Sequence, residues 1–442
     1  VRGSAVDYDR WAAMGNHGWS AKDVMPLFQS LERSDRNSDD KPGSGRGHKG
    51  PLYVRTVKAC HPTTQAFIEA AQQAGYVHNP DYNGASQEGV GYAQLTQRGG
   101  RRWSAADAFL KPALKRRNLQ LIVNACVHKM ITSKGSVRGV RYKQGGILKE
   151  AHAKDVILCG GAINTPKLLM LSGIGDADTL SAHGIEVVKN LPSVGKNLIE
   201  HPMINMTYRV TQPTYNPTAG ITQYLQFLMN YLFKNQGPIA TSFEAIGFLK
   251  TLPTLEDPDI QLHFLPLGLN KNNPTQSLFL PYPSITVLIN KNHPLSRGQI
   301  RLASRDPQAA PLIDSKLLSH DDDVATLVRG IALVRSLMST SALSGLVEEE
   351  IRPGSANSDT ASLEDYIRRN TELGYHPSGT CRMGVDDEAV VTPELQVKDV
   401  NNLWIADASI MPDLISGNTN AVCMMIGEKL SRQFTENQIN KR

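Results

Sequence analysis

The sequence predicts a mixed α/β (α+β) fold, because two different strand patterns occur in it. Residues 155–161 form an apolar run that enters a glycine turn, and residues 165–172 have the spacing of a helix. This strand–turn–helix order is typical of open α/β sheets, which bind ligands at the carboxyl ends of their strands. From about residue 203 apolar positions alternate, as at 260–264 and 284–289, which predicts an antiparallel sheet with one covered face.

Helices are predicted between these strands from the spacing of apolar residues. Residues 20–32 begin with a Ser20–Asp23 capping pair, and residues 62–75 end at a glycine. Further helices are predicted from Ser104 to a break near Pro112, at 221–233, at 324–338 and at 422–430, with a short β-rich run at 119–123. Helices and strands therefore alternate along the chain without internal repeats.

Composition argues against several classes of protein. The chain has 442 residues, of which 40% are hydrophobic and 20% charged, so it exceeds one ordinary domain. The net charge of +5 is spread over residues of both signs without a basic cluster interleaved with aromatics, which argues against nucleic acid as a partner. The 5 cysteines are never spaced C-x-x-C, which predicts no metal site and no disulfide framework and favours a reducing, cytoplasmic location.

His376 is the candidate catalytic residue of the C-terminal region. The following Pro377 disfavours the α region for His376, and Gly379 permits a tight turn nearby. We therefore expect an extended backbone that presents the imidazole outward. With an unperturbed pKa of about 6.5, the neutral ring would be available as a general base. The alternative is a buried structural histidine.

Asn418, Thr419 and Asn420 form a second candidate group. They precede an apolar run at 422–430, and asparagine is a preferred N-cap, so a helix is predicted to begin here. The unpaired N–H groups and the dipole of such a helix attract anions. A plain helix cap without any further role is equally compatible with this segment alone.

Taken together, these segments resemble the glucose-methanol-choline (GMC) oxidoreductase family, whose members are FAD-dependent alcohol dehydrogenases, choline dehydrogenases and oxidases. Residues 375–384 and 407–421 carry the C-terminal part of the resemblance. Residues 161–175 match the second signature of the family, residues 194–202 follow at the expected distance, and residues 1–11 are similar to the segment after the first FAD-binding block. The resemblance runs nearly end to end.

The resemblance implies that His376 is the catalytic base and Asn418 its partner. It implies oxidation of a small-molecule primary alcohol to an aldehyde, with hydride passing to flavin N5 of the cofactor FAD. Contacts with FAD are implied for Val127, Gly160, Gly161, Asp407, Ala408, Thr419 and Asn420. Outside the resemblance, Val127 would be an ordinary strand residue and the two glycines an ordinary tight turn. Many members of the family have a second histidine at the position of Asn418. The asparagine found here is similar to the choline dehydrogenase and aliphatic alcohol dehydrogenase branches.

The resemblance also implies a division into domains. Residues 1–202 would be the remainder of a Rossmann-like FAD-binding domain, residues 203–370 mainly a substrate domain with an antiparallel sheet and flanking helices, and residues 371–442 a return to the FAD-binding domain. No strand–G-x-G-x-x-G–helix unit is found, and residues 43–47 are a weak substitute. We therefore expect the FAD-binding domain to be incomplete and to lack its N-terminal unit. A noncatalytic fragment unable to bind FAD alone is the second function to consider.

Substrate and electron acceptor are less constrained. A general aliphatic or aromatic alcohol is favoured over choline, because Glu244, which could attract a cation, is expected to be solvated or salt-bridged. The acceptor would be a quinone or another compound, or oxygen in an oxidase. No apolar run reaches the roughly 18 residues of a membrane span. The predicted helix at 221–233 is interpreted as a wall of the core or of a cavity, with peripheral contact at the inner membrane as the alternative.

Overall fold

The computed structural model describes residues 1–35, 45–57, 60–218, 220–270 and 278–439. Residues 43 and 44 of the glycine-rich stretch at 43–47 lie outside the described residues. Within the described ranges, the α-helices are α1 (Ala5–Ala13), α2 (Ala21–Leu31), α3 (Pro62–Gln73), α4 (Lys111–Ala113), α5 (Gly161–Leu171), α6 (Ala177–Ala182), α7 (Ile221–Lys234), α8 (Asp321–Met338), α9 (Thr360–Asn370) and α10 (Asn420–Ile439). A π-helical segment (Ala106–Leu110) precedes α4, and a 3-10 turn covers Ala408–Ile410.

Most strands of the described ranges are short, and β7, β8 and β13 are the longest, with 9 residues each. They are β1 (Glu32–Ser34), β2 (Leu52–Thr56), β3 (Gly89–Tyr92), β4 (Gln94–Leu95), β5 (Gln97–Arg98), β6 (Arg101–Arg102), β7 (Ala125–Ser133), β8 (Ser136–Gln144), β9 (Ile147–His152), β10 (Val156–Leu158), β11 (Ile174–Gly175), β12 (Lys189–Asn190), β13 (Pro202–Val210), β14 (Ala245–Leu249), β15 (Ile260–Leu265), β16 (Ser284–Lys291), β17 (Gln299–Arg301), β18 (Leu312–Asp314), β19 (Val347–Arg352), β20 (Glu372–Leu373) and β21 (Leu403–Ile405). The mixed α/β fold class predicted from the sequence is confirmed.

The large sheet has the strand order β19–β13–β16–β15–β14–β3, with β20 also paired to β13, and its pairs are antiparallel as predicted. Its apolar face packs on helices: Phe264 of β15 stacks on Phe67 of α3, with ring centroids 4.6 Å apart. Helix α8 approaches β16 at Gly330, where a Cβ atom would lie 2.9 Å from Ile289. Alternation therefore turns Gln261 and His263 to the opposite face.

That opposite face is buried as well, so the prediction of a single covered face is wrong. Gln261 is fully buried, and its side chain bonds to Asn418, in the segment that precedes α10. Gly417 of this segment leaves room for Phe248 of β14, since a Cβ at Gly417 would lie 3.2 Å from that ring. The C-terminal segment thus covers the polar face of the sheet.

A second hydrophobic core lies outside the large sheet. The parallel pair β10–β21, the helix α5 and the helix α10 contribute Leu158, Leu169, Ile405 and Ile426 to it. The predicted order of strand, glycine turn and helix is therefore confirmed, although Ile157 of β10 is 45% exposed. The division at 1–202, 203–370 and 371–442 stays a prediction, and α3 and β3 from its first part pack in the core of the large sheet.

Two local predictions are wrong. Residues 119–123 form no strand, because regular pairing begins only at Ala125, and Val123 is 57% exposed. Helix α7 has no buried residue, and Ile221 and Phe233 are 70% and 74% exposed, so it is not a wall of the core. The other half of that prediction, a cavity wall, agrees with the structure, because Phe227 and Asn230 line a cavity of about 390 Å³. No helix of the described ranges is long and apolar enough to cross a membrane.

Candidate active site

Two antiparallel chain segments bring His376 next to the start of β13. The backbone groups of Ile199 and Ser378 exchange two hydrogen bonds of 3.0 Å. Gly379 has a φ of +86°, and a Cβ there would lie 2.5 Å from a backbone oxygen, which confirms the predicted glycine turn. Tyr375 also has a positive φ of +63°. His376 is only 9% exposed, so the expectation that its ring is presented outward is wrong.

Glu200 holds the backbone on both sides of this contact. Its Oε1 accepts hydrogen bonds from the backbone N–H groups of His376 (2.8 Å) and His201 (3.0 Å). Burial raises the pKa of Glu200 to about 7, while these two hydrogen bonds act in the opposite direction. One carboxyl group therefore fixes the positions of two histidines.

Asn418 lies one residue before the cap of α10. The first helical carbonyl is that of Thr419, which accepts the N–H of Cys423 at 3.0 Å. The Asn418 side chain points elsewhere: its Nδ2 lies 3.1 Å from His376 Nε2, and its Oδ1 accepts a hydrogen bond of 3.2 Å from Gln261. The plain-cap alternative therefore does not hold for Asn418. We call His376 and Asn418 the histidine–asparagine pair.

The electrostatic setting of the pair keeps its imidazole neutral. The pKa of His376 is lowered to about 4, chiefly by burial and further by His263. The neutral ring is therefore available as a base near pH 7, although its pKa lies below the ordinary value of about 6.5. Burial also lowers the pKa of His263 to about 4, and the ring of that residue packs edge-on against Phe243, with centroids 5.8 Å apart.

Several site residues were not assigned a role from the sequence. His201 lies within the matched stretch 194–202, and its Nδ1 is 2.9 Å from His376 Nδ1, with ring centroids 5.1 Å apart and planes at 84°. Gln261 and His263 lie on β15, whose pattern predicted only an ordinary strand. A polar residue at alternate positions of an apolar strand was the signal that could have identified them.

A second group of predicted residues lines a cleft beside β10, which we call the glycine cleft. Val127 of β7, the turn residue Gly160 and Thr165 of α5 line its volume of about 630 Å³. Gly161 has a φ of +75° and nothing within 4 Å of the position of a Cβ, so the space next to its backbone is open. The cleft admits a ligand to close approach at the backbone.

Asp407 is bonded to the glycine turn beside this cleft. Its Oδ2 accepts hydrogen bonds from the Gly161 N–H (2.8 Å) and the Thr165 hydroxyl (2.6 Å), and its Oδ1 accepts the N–H of Ser409 at 2.8 Å. The carboxylate thus joins the glycine turn to the 3-10 turn that contains Ala408. A direct contact of Asp407 or Ala408 with FAD stays a prediction.

A further cavity of about 260 Å³ lies at the start of α10. Asn418, Asn420 and His263 line it together with apolar side chains that include Ile246 and Phe243. Helix N–H groups at this end suit an anionic ring edge, and the glycine cleft suits a nucleotide that lies on the backbone, so the two sites together fit FAD. Within the described ranges, no three His, Cys, Asp or Glu residues are grouped as metal ligands.

Comparison with known proteins identifies the family. The profiles of GMC oxidoreductases match residues 1–203 with their N-terminal region and residues 294–427 with their C-terminal region. The chain is 37% identical over 436 residues to the oxygen-dependent choline dehydrogenase of Brucella anthropi, covering 98% of this chain and 78% of that protein. The chain belongs to the GMC oxidoreductase family. This GMC oxidoreductase is an enzyme that acts on CH–OH donors, and FAD is its cofactor.

Two other relatives agree with this assignment. The alcohol dehydrogenase [acceptor] of Pseudomonas putida is 39% identical over 434 residues, which are 97% of this chain and 78% of that protein. The crystal structure of pyridoxine 4-oxidase from Mesorbium loti superposes with a TM-score of 0.87 at 29% identity, covering 99% of this chain and 81% of that one. The partners of this GMC oxidoreductase are therefore a small-molecule substrate and an electron acceptor.

One expectation about the domains is overturned. The N-terminal profile of the family matches from residue 1 through residue 203, so the N-terminal FAD-binding domain is present, and the prediction that its unit is lacking is wrong. The error came from relying on one glycine motif, whereas the match extends over the whole region. The noncatalytic alternative depended on that expected absence and falls with it.

Proposed function

We propose that this GMC oxidoreductase oxidises a primary alcohol to an aldehyde and that His376 is the base that takes the hydroxyl proton. The observation that carries the proposal is the contact of 3.1 Å between His376 Nε2 and Asn418 Nδ2, and Asn418 lines the cavity at the start of α10. A neutral imidazole and a carboxamide are the two groups that can accept a hydroxyl proton and orient the hydroxyl oxygen.

In the structure the two groups bond to each other, so the substrate has to come between them. We infer that the alcohol oxygen accepts the Asn418 N–H while its own O–H donates to His376 Nε2. FAD, when bound, supplies the acceptor for the hydride. The proton stays on His376 Nε2, and the protonated ring keeps its second N–H for His201. Burial of the pair excludes water from this exchange.

The proposal also assigns cofactor contacts. Val127, Gly160 and Gly161 would hold the adenosine end of FAD in the glycine cleft, and Thr419 and Asn420 would offer N–H groups at the start of α10. Asp407 and Ala408 would support the flavin side from the 3-10 turn. Support comes from the open space beside Gly161 and from the position of Asn420 on the cavity wall.

A neutral aliphatic or aromatic alcohol fits the site better than choline. Glu244 is neither solvated nor salt-bridged, contrary to the expectation: it is 1% exposed, and its carboxyl oxygens accept hydrogen bonds from Thr64, Tyr215 and the N–H of His61 at 2.6, 2.6 and 2.7 Å. Burial raises its pKa. A carboxyl group held in this way offers little attraction to a quaternary ammonium ion.

Choline remains the second candidate, because the relative from Brucella anthropi is named a choline dehydrogenase. The test is anaerobic bleaching of the flavin absorption by benzyl alcohol, hexanol and choline, with Glu244→Gln as the discriminating variant. We expect the neutral alcohols to bleach the flavin fastest in both proteins. Faster bleaching by choline, lost in Glu244→Gln, would favour the second candidate. No bleaching by any primary alcohol would contradict the proposal.

For the electron acceptor we propose a quinone, with oxygen as the alternative, and a cytoplasmic enzyme in peripheral contact with the inner membrane. Support comes from α7, whose exposed apolar side chains are Ile221, Tyr224, Leu225, Leu228, Met229, Leu232 and Phe233. The helix contains no acidic residue and ends at Lys234. Exposed Arg101 and Arg102 lie beside that end, because the hairpin residue Gly100 packs against Asn235. An apolar stripe with basic neighbours suits an anionic lipid surface.

Co-sedimentation with vesicles tests this contact. Phosphatidylglycerol-containing vesicles should retain the holoenzyme, phosphatidylcholine vesicles much less, and Leu228→Asp should abolish the difference. Ile147→Asp is the matched control, because Ile147 is 64% exposed on β9 and lies away from α7. Equal binding by Leu228→Asp would contradict the contact, as would a dimer that this variant dissociates. Peroxide yield under air, compared with the rate of quinone reduction, separates the two acceptors.

A further inference from the structure

The hydrogen-bond partners of His201 determine where this residue carries its hydrogen. His201 is fully buried, and its Nε2 lies 2.9 Å from the carbonyl oxygen of Asn292 and 3.2 Å from that of Ile415. A carbonyl oxygen can only accept a hydrogen bond. Nε2 of His201 therefore has to be the protonated nitrogen, because a lone pair there would face two buried oxygen atoms.

The position of the hydrogen on His201 also determines which nitrogen of the neighbouring His376 ring carries hydrogen. Burial, and after it His376, lowers the pKa of His201 well below the ordinary value, so the neutral ring has a single hydrogen. Nδ1 of His201 is consequently an acceptor. His376 Nδ1, at 2.9 Å, has to donate to it, and this leaves His376 Nε2 with a free lone pair.

The hydrogen bonds of Asn418, on the other side of the His376 ring, agree with this assignment. Gln261 Nε2 donates to Asn418 Oδ1 at 3.2 Å, so the Asn418 amide turns its N–H toward His376. That N–H requires an acceptor at His376 Nε2, 3.1 Å away. The orientation of the Gln261 and Asn418 amides thus agrees with the tautomer of His376 that the backbone carbonyls at His201 require.

We propose that His201 is a positioning residue that fixes the hydrogen of His376 on Nδ1, so that Nε2 is the atom that receives the substrate proton. This inference rests on the proposed role of His376. Carbonyl oxygens of two different loops hold His201, and Glu200 holds the backbone of both histidines. When His376 is protonated, His201 Nδ1 still accepts its Nδ1–H, in a bond that the positive charge strengthens.

The tautomer can be read directly by nitrogen NMR of the FAD-loaded protein labelled with ¹⁵N-histidine. The His376 signals are identified by their loss in His376→Gln. We expect a protonated Nδ1 and an unprotonated Nε2 in the resting enzyme. A protonated Nε2 would overturn the proposal. This readout needs no turnover, so it holds even if His376→Gln were to oxidise alcohol at the normal rate, an outcome that would reject the proposed function instead.

The second test of the proposal is the rate of flavin reduction in a variant of His201 and in a matched control. His201→Phe keeps a ring of similar size but offers no acceptor, so the His376 signals should become a mixture of both tautomers. Flavin reduction by alcohol should slow about 10- to 100-fold, part of the contribution of a positioned base, with FAD occupancy retained. Ile204→Val changes the strand β13 that follows His201, at a position in the hydrophobic core, and should stay within about twofold. Unchanged rates and unchanged His376 signals in His201→Phe would overturn the proposal.

Discussion

The histidine–asparagine pair and the glycine cleft are built in opposite ways. At the pair, buried side chains carry the site, and both ring nitrogens of His376 have a partner. At the cleft, the backbone carries the site, and Gly161 leaves open space where another residue would place a side chain. The comparison predicts that substitutions at the pair change the rate of the chemical step, whereas substitutions at the cleft change the affinity for FAD.

The largest effect is expected at His376. His376→Ala removes the proposed base, so the rate constant of flavin reduction by alcohol should fall by about 10²- to 10⁴-fold. FAD content should stay near that of the wild type, because the ring does not line the glycine cleft. Anaerobic stopped-flow absorption measures the rate, and the ratio of flavin to protein absorbance measures the content. Loss of FAD in this variant would contradict the separation of the two sites into one for the chemical step and one for FAD binding.

The reverse pattern is expected at Gly161. Gly161→Ala places a Cβ in the open space that we propose the cofactor approaches, so FAD binding should weaken roughly tenfold, which is about 1.4 kcal/mol. The loaded enzyme should reduce its flavin at nearly the wild-type rate. Gly145→Ala is the matched control, because Gly145 has a φ of +57° and open space but lies in the turn between β8 and β9. Equal loss of FAD in both variants would point to general destabilisation.

A smaller effect is expected at Asn418. Asn418→Ala removes one aligned hydrogen bond, which should slow flavin reduction about tenfold. Gln261→Met keeps the length of the side chain that orients Asn418 but removes its N–H, so its effect should be weaker than that of Asn418→Ala. The two rate constants, measured with the same alcohol, test this order. A stronger effect of Gln261→Met would mean that Asn418 does not act through its orientation.

Acid should destabilise the pair selectively. The folded protein keeps His376 neutral down to about pH 4, whereas in the unfolded chain this residue takes up a proton near pH 6.5. The contribution of His376 to the free energy of unfolding therefore falls by roughly a few kcal/mol as the pH drops from about 6.5 to about 4. The raised pKa of Glu200 acts in the opposite sense in wild type and variant alike.

The measurement is a difference between two proteins, so that shared groups cancel. His376→Gln should gain stability relative to the wild type between pH 6.5 and pH 4, as followed by urea unfolding of the FAD-loaded proteins. A constant difference over this range would show that the folded state does not lower the pKa of His376.

Local patterns in the sequence predicted the elements whose cause is local. The capping pair Ser20–Asp23 and the apolar spacing of residues 324–338 placed α2 and α8 within a few residues, because caps and helical periodicity depend on neighbours along the chain. The glycine turn at Gly379 was also predictable, since its φ is a backbone property. The strand predicted at residues 119–123 does not form, because a strand needs a pairing partner, and local propensity does not supply one.

The candidate site shows the same limit. Resemblance singled out His376 and Asn418, and the fold brings them together. The burial of His376, its lowered pKa and the contact with His201 arise where segments far apart in sequence meet, and no local pattern reports that meeting. The prediction that α7 packs against the core was wrong for a related reason. Its apolar spacing predicted the helix correctly, but the spacing does not show what would cover the apolar side.

The pH dependence of flavin reduction tests the role of His376 most directly. In anaerobic stopped-flow pH jumps of the FAD-loaded enzyme, the rate constant with the best alcohol should rise with pH through an inflection well below 6.5 and stay level above it. Titratable groups around the ring are His201, His263 and Glu200, and they remain in His376→Gln. That variant should be slow and should lack the inflection. An inflection that persists unchanged in His376→Gln would contradict the assignment of this histidine as the base.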